Sequence, residues 1–261
     1  MLIGMGIGGI GIAASPGGAR ALFNPASVAN MAFWLKSEIG VLDASGNPIT
    51  VDNTSVYTWQ DQSGNGKHFL QPEAYRRPEW RNAANGVNGR PAVQFAASMV
   101  ASSPISMGAI SIFTVIKLSA GLILYEQGSD VATSPGFKLN AGSAFNAIVS
   151  KGSPLIINAK NHPTTNWGIN NVTKLASHIY NGTNATHILY VNGVNSNMVG
   201  QAPYILDPGT ATVSGPIYLG GREAAQNPVT GFICEVIGYN AALSDANRTG
   251  VESYLMSKWG I

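Results

Sequence analysis

The chain predicts an all-β fold, a two-sheet antiparallel sandwich, with one C-terminal helix and a Gly-rich N-terminal extension. Three observations predict it. Short runs of β-branched and aromatic residues recur between turn signals, the pattern of a sandwich or barrel rather than of βαβ units. Of the 261 residues, 45% are hydrophobic, which supplies a core for one domain of the roughly 200–250 residues that an all-β unit can reach. Helical spacing of apolar residues is clear only near the end, after Ser244.

Residues 1–30 stand apart from the remainder. Gly4, Gly6, Gly8, Gly9 and Gly11 alternate with Leu2, Ile3, Met5, Ile7, Ile10 and Ile12. Burying those six side chains contributes roughly 10–15 kcal/mol. Fixing a dozen backbone units costs roughly 12–24 kcal/mol, with glycine at the expensive end. The six apolar residues are therefore expected to anchor the chain against something else: its own sandwich, sister subunits or a neighbouring protein. Ser15-Pro16-Gly17-Gly18 reads as a turn or linker.

From Met31 to Ile261 the chain reads as the sandwich domain. Ala32-Phe33-Trp34-Leu35 is a short apolar strand, and Trp34 and Trp59 read as core. Asp61-Gln62-Ser63-Gly64-Asn65-Gly66 is a turn with Asx chemistry and two glycines for positive φ. Ala92–Phe95 follows as a strand, and 109–118 is a β-branched run too long to expose. Gly121 to Glu126 is expected to pair with that run. Further strands are expected near 136–140, 145–150, 154–158, 172–181, 186–191, 216–220 and 230–239, with a type I′ turn at Asn192-Gly193. Ser244 is a good N-cap, Val251, Tyr254, Leu255 and Trp259 share a helical face, and Gly260 ends the helix.

Charge narrows the function classes. Lys and Arg number 15 against 13 Asp and Glu, for a net charge of +2, and this leaves no basic stripe for nucleic acid. Charged residues make up only 11%, against about 25% in typical soluble proteins. Such a surface suits packing against other subunits. The lone cysteine, Cys234, sits in an apolar run and reads as a buried small hydrophobe. No stretch reaches the length of a membrane-spanning helix.

Several segments carry a family likeness. Trp34-Leu35-Lys36, the run Trp59 to Gly66, Asn88-Gly89-Arg90-Pro91-Ala92-Val93-Gln94-Phe95, Tyr218-Leu219-Gly220-Gly221-Arg222 and the ending from Gly231 to Ile261 stand in one order. Together they resemble concanavalin A-like, laminin-G-like jelly-roll domains over residues 31–261. The N-terminal opening, with Phe23-Asn24-Pro25-Ala26-Ser27, resembles structural genes of tailed bacteriophages. That resemblance implies a non-catalytic virion protein, a capsid decoration or a tail or fibre component, joined to other virion proteins and forming a homo-oligomer, with a trimer favoured. The alternative is a carbohydrate-binding module for host surface glycans, and the second alternative a glycoside hydrolase or lyase.

Chemistry-bearing residues are few. Hydrolytic relatives of this fold place paired carboxylates on one strand, about 5–10 Å apart, whereas Glu126 and Glu235 each stand alone in theirs. They read as structural carboxylates, and no catalytic residue is assigned. His68, His162, His178 and His187 lack metal-ligand spacing. His178 and His187 are expected to approach across a hairpin. No cofactor is expected apart from calcium, for which Asp61 and Asn65 are the candidates, as loop oxygens hold it in some laminin-G domains. Trp80 and Trp167 sit in polar, turn-rich stretches and are the candidate glycan-binding aromatics.

Overall fold

The computed structural model describes residues 23–127, 135–141, 145–151, 157–161, 170–181, 186–196, 199–200, 213–222 and 226–261. They form two large antiparallel sheets stacked as a sandwich. The first runs, edge to edge, through Val194–Asn195, Thr186–Val191, Lys174–Asn181, Ile110–Ala120, Thr230–Tyr239, Ala92–Phe95, Glu79–Arg81 and Thr54–Ser55. Met31–Lys36 joins it beside Thr230–Tyr239. The second runs through Val199–Gly200, Ile157–Asn161, Phe145–Lys151, Pro135–Ala141, Ile123–Gln127, Ile217–Leu219, Met99–Ala101, Phe69–Leu70, Thr58–Trp59 and Val41–Leu42. Val213–Gly215 and Ile105–Met107 pair separately.

The helix Asp245–Trp259 lies on the outer face of the first sheet, so that sheet is covered on both sides. Its central strands therefore read as continuous apolar runs rather than as alternating ones. Ile110, Ile112, Ile116 and Leu118 point into the sandwich, while Phe113 and Val115 pack under the helix with Val251, Leu255 and Trp259. Two strands of the second sheet alternate instead, with Met99, Ala101, Ile217 and Leu219 buried and Val100 and Tyr218 half-buried between them. The helix starts at Ser244, whose hydroxyl accepts from Asn247 N, and ends at Gly260 with φ 66°. Among the described residues no helix is long and apolar enough to cross a membrane.

Two irregularities position side chains. Val115 pairs with Glu235 and Ile116 with Ile233, so Cys234 is an extra residue, a β-bulge. The bulge turns Cys234 and Glu235 together toward the helix. On the same edge of that strand, Met31–Lys36 and Ala92–Phe95 succeed one another. Ser37 closes the gap, donating its N–H to Cys234 O (3.2 Å) and its hydroxyl to Pro91 O (2.6 Å).

Three expectations change. Ile123–Gln127 does not pair with Ile110–Ala120; it lies in the opposite sheet, between Pro135–Ala141 and Ile217–Leu219. The chain crosses at Gly121, whose φ of 123° and contact with the Val229 backbone admit no side chain. The strand expected at 154–158 is Ile157–Asn161, in register with Phe145–Lys151. Residues 23–30, set by sequence within the extension, pack on the domain: Val28 joins the core beneath the helix, and Tyr239 donates its hydroxyl to Pro25 O at 2.9 Å. Leu2, Ile3, Met5, Ile7, Ile10 and Ile12 lie outside the described residues, as do Trp167 and His162.

Candidate ligand-binding site

A cavity of about 320 Å³ opens beside the end of the strand Met31–Lys36. It is assembled from four separate stretches of chain. Ser37 to Leu42 form one wall; Pro48, Ile49 and Thr50 form a second, hydrogen-bonded beside it; Gln60 and Trp80 complete the lining. The first wall turns at Gly40, where φ is 77° and a Cβ would stand 2.4 Å from Gln62 Nε2, so only glycine fits without displacing that amide. Gly40 O accepts from Gln60 N at 2.7 Å, which sets Gln60 at the cavity. The second wall is held by Ile49 N donating to Val41 O at 3.0 Å. The hairpin between them closes on Asp43, whose Oδ1 accepts from Ser45 N and Asn47 N. The hydrogen bond from the Asn47 backbone N–H first of all, with burial opposing, holds the Asp43 carboxyl below its ordinary value.

Trp80 belongs to the strand Glu79–Arg81, between Thr54 and Val93. Only 9% of it is exposed, and its indole N–H donates to Ser37 O at 2.9 Å. It is therefore not the exposed platform expected from its polar neighbours. Those neighbours, Glu79 and Arg81, alternate to the other side of the strand, where Arg81 binds Asp52 and Gln94. The indole remains at the cavity as a fixed aromatic surface. Around it stand apolar Ile39, Val41, Leu42, Pro48 and Ile49 and a few polar groups. The Gln60 amide and Thr50 hydroxyl have no side-chain partner among the described residues. Glu38 is fixed by Arg90 Nη1 at 3.0 Å and Lys258 Nζ at 2.7 Å.

The two carboxylates weighed for catalysis lie on opposite faces of the sandwich. Glu126 alternates with inward Tyr125, faces away from the core on the second sheet, and is gripped by Arg222 through two bonds of 2.8 and 2.9 Å. Glu235 lies under the helix, accepting from Trp34 Nε1 (2.7 Å), Trp259 Nε1 (2.9 Å) and Lys258 (2.7 Å). Two sheets about 10 Å apart intervene, so they cannot flank one glycosidic bond. Glu38 does approach Glu235, since both accept from Lys258. Glu235 is wholly buried, however, and both its oxygens are occupied. Burial alone would lower the Lys258 ammonium; the charges and hydrogen bonds of Glu235 and Glu38 outweigh it and hold that ammonium above its usual range.

Both calcium candidates bond the backbone around them, Asp61 buried and Asn65 exposed. Asp61 Oδ1 accepts from Trp34 N and Ser63 N, and Oδ2 from Ser63 Oγ and Lys67 N. Asn65 donates its amide to Met31 O and Ala32 O. The two thus stitch the turn to the first strand. No group of three or more metal-ligating side chains occurs among the described residues. His178 stands opposite Leu189, and His187 opposite Tyr180, so the two are staggered along the hairpin. The His178 ring instead bonds the Tyr125 hydroxyl across the core. Cys234 is fully buried, and burial first, then the charges of Glu235 and Glu38, push its thiol well above the ordinary value.

Trp80 is singled out by sequence, whereas Ile39 and Thr50 belong to no motif and Gln60 falls in the run Trp59 to Gly66 without any mark of a binding role. Gly40 was the one available signal, a glycine directly after an apolar residue at a strand end.

No family model matches the chain, and no curated protein matches it in sequence. Solved structures do. A GH54 α-L-arabinofuranosidase soaked with a cyclic sulfate inhibitor aligns over 88% of this chain and 59% of its own, with a TM-score of 0.55 and 12% identity. An arabinofuranosidase complexed with arabinofuranosyl-α-1,2-xylobiose aligns over the same shares, with a TM-score of 0.54 and 13% identity. A Trypanosoma rangeli sialidase complexed with 2,3-difluoro-KDN aligns over 88% of this chain and 33% of its own, with a TM-score of 0.51 and 11% identity. The chain spans less than two thirds of each of these three proteins. Nothing in them bears on the virion component expected from the opening residues. At such identities the likeness is one of fold: the chain is an antiparallel β-sandwich of the kind found within these larger proteins.

Proposed function

We propose that the chain is a non-catalytic carbohydrate-binding domain that takes a saccharide ring in the cavity lined by Trp80. The observation that carries this reading is the chemistry of that cavity. A sugar ring has an apolar C–H face and a rim of hydroxyls. The cavity offers a fixed indole and aliphatic walls for the first, and the Gln60 amide, the Thr50 hydroxyl and the Glu38 carboxylate for the second. Concave sites with an apolar lining and a few convergent polar groups are where small ligands bind, and about 300 Å³ is the lower end of their size range. The three neighbours named above act on or bind sugars, and the sandwich is a fold that such proteins contain. The separation of Glu126 from Glu235, each held by a cation, favours binding over hydrolysis.

The test is a glycan array followed by calorimetry on the saccharide that scores. Gln60→Ala removes one hydrogen-bonding group without touching the core and should weaken binding about tenfold, the equivalent of one buried polar contact. Trp80→Phe retains an aromatic ring in the lining and should weaken it further. Both variants are checked for an unchanged thermal midpoint within a few degrees. Full affinity in both folded variants contradicts the reading, as does release of product from the bound saccharide.

A further inference from the structure

Tyr75 is the most exposed large hydrophobic side chain among the described residues, at 77%. It does not sit on a slack loop. The segment that carries it is pinned at both ends. The Gln71 side chain donates to Ser98 O and accepts from Glu73 N at 3.1 Å. Arg77 Nε donates to Gln71 O at 3.1 Å and Nη2 to Pro72 O at 2.9 Å, while its guanidinium covers the Tyr57 ring. Between them Ala74–Arg76 forms a single 3-10 turn closed by Arg76 N to Glu73 O. The Arg76 guanidinium lies 5.1 Å from the Tyr75 ring centre. A ring so exposed buries little area and adds little to the core, yet its loop is ordered by side chains from both flanks. Rigid aromatics held this way lose little entropy on contact and serve as anchors for partners.

The loop is tied to the cavity wall through Tyr57. Tyr57, on which Arg77 rests, donates its N–H to the carbonyl of Leu42 in the cavity wall. Tyr75 precedes Trp80 by five residues, a reach of at most about 18 Å.

We infer that Tyr75 is a second saccharide-stacking position, so that the ligand is an oligosaccharide contacting both the Trp80 cavity and this loop rather than a single terminal sugar. This rests on the reading of the Trp80 cavity given above. The ring face not covered by Arg76 takes the sugar's C–H face, and the guanidinium beside it is placed to donate to ring hydroxyls.

The experiment is calorimetry with a saccharide series of increasing length, from the monosaccharide upward, on the whole protein and on Tyr75→Ala, whose exposed site leaves folding intact. The inference expects affinity to rise with length by about tenfold, the worth of one aromatic anchor. It expects Tyr75→Ala to abolish that rise while leaving monosaccharide affinity unchanged. Affinity independent of length, or a rise that survives in Tyr75→Ala, overturns the second position and leaves the cavity reading standing. Absence of binding to every saccharide by the unaltered protein overturns both.

Discussion

Glu235 carries no exposed surface, and its two oxygens take two indole N–H groups and the Lys258 ammonium. It fastens the strand that bears it, the first strand through Trp34, and the end of the helix through Trp259. Taking the charge away leaves the Lys258 ammonium with Glu38 as its one remaining carboxylate, which keeps the cost near the bottom of the about 3–5 kcal/mol of a buried pair broken from one side. Glu235→Gln should lose stability at the lower end of that range in urea unfolding, because the amide keeps part of the bonding. His178 makes a different demand. Burial pushes its pKa down to about 3, against 6.5 ordinarily. The unfolded chain therefore takes up this proton before the folded one does. Its contribution to stability is complete above about pH 6.5 and drains as pH falls toward 3, by at most about 1.4 kcal/mol per pH unit. Urea midpoints followed from neutral pH downward should show that slope, and His178→Gln should flatten it. An equal slope in the variant would place the acid sensitivity elsewhere.

The elements that sequence disclosed are those whose signals are local. The helix has a cap, an apolar face and a terminating glycine within Ser244–Gly260, and its bounds follow from them. The Asn192-Gly193 turn likewise has both residues at positive φ, as that pair prefers. Ile123–Gln127 was misplaced because its partner is decided at a distance. Gly121 and Leu122 look like a hairpin turn, and only the Val229 backbone lying against Gly121 shows that the chain is passing to the other sheet. The register of Ile157–Asn161 is set by pairing with Phe145–Lys151, which no local propensity encodes. Gly121→Ala tests the crossing. A Cβ there would lie 2.3 Å from Val229 Cα, at a φ that L residues rarely adopt. The substitution should cost about 2–4 kcal/mol, combining overpacking with backbone strain. A loss below about 0.5 kcal/mol, the range of an ordinary surface change, would mean that the crossing is not held there.

At the scale of the molecule, the sandwich was legible from the spacing of strands and turns, since that spacing is a property of the whole chain. The proposed ligand site was legible only as one residue. Trp80 was noticed for its polar neighbours, which turn out to face away from the indole; the cavity around it is made from stretches that meet only once both sheets and the hairpin at Asp43 are in place. The first strand, the bulged strand and the helix converge on Lys258 and Glu38, so the cavity wall is braced by the same contacts that hold the helix down. Binding is therefore expected without large rearrangement, as is usual for a preformed site. The direct measurement is a titration of isotopically labelled protein with the saccharide found on the array, followed by amide and indole resonances. Saturable shifts are expected at Gly40, Thr50, Gln60 and the Trp80 indole N–H. Saturable shifts confined to residues remote from these, with that indole unmoved, would contradict it.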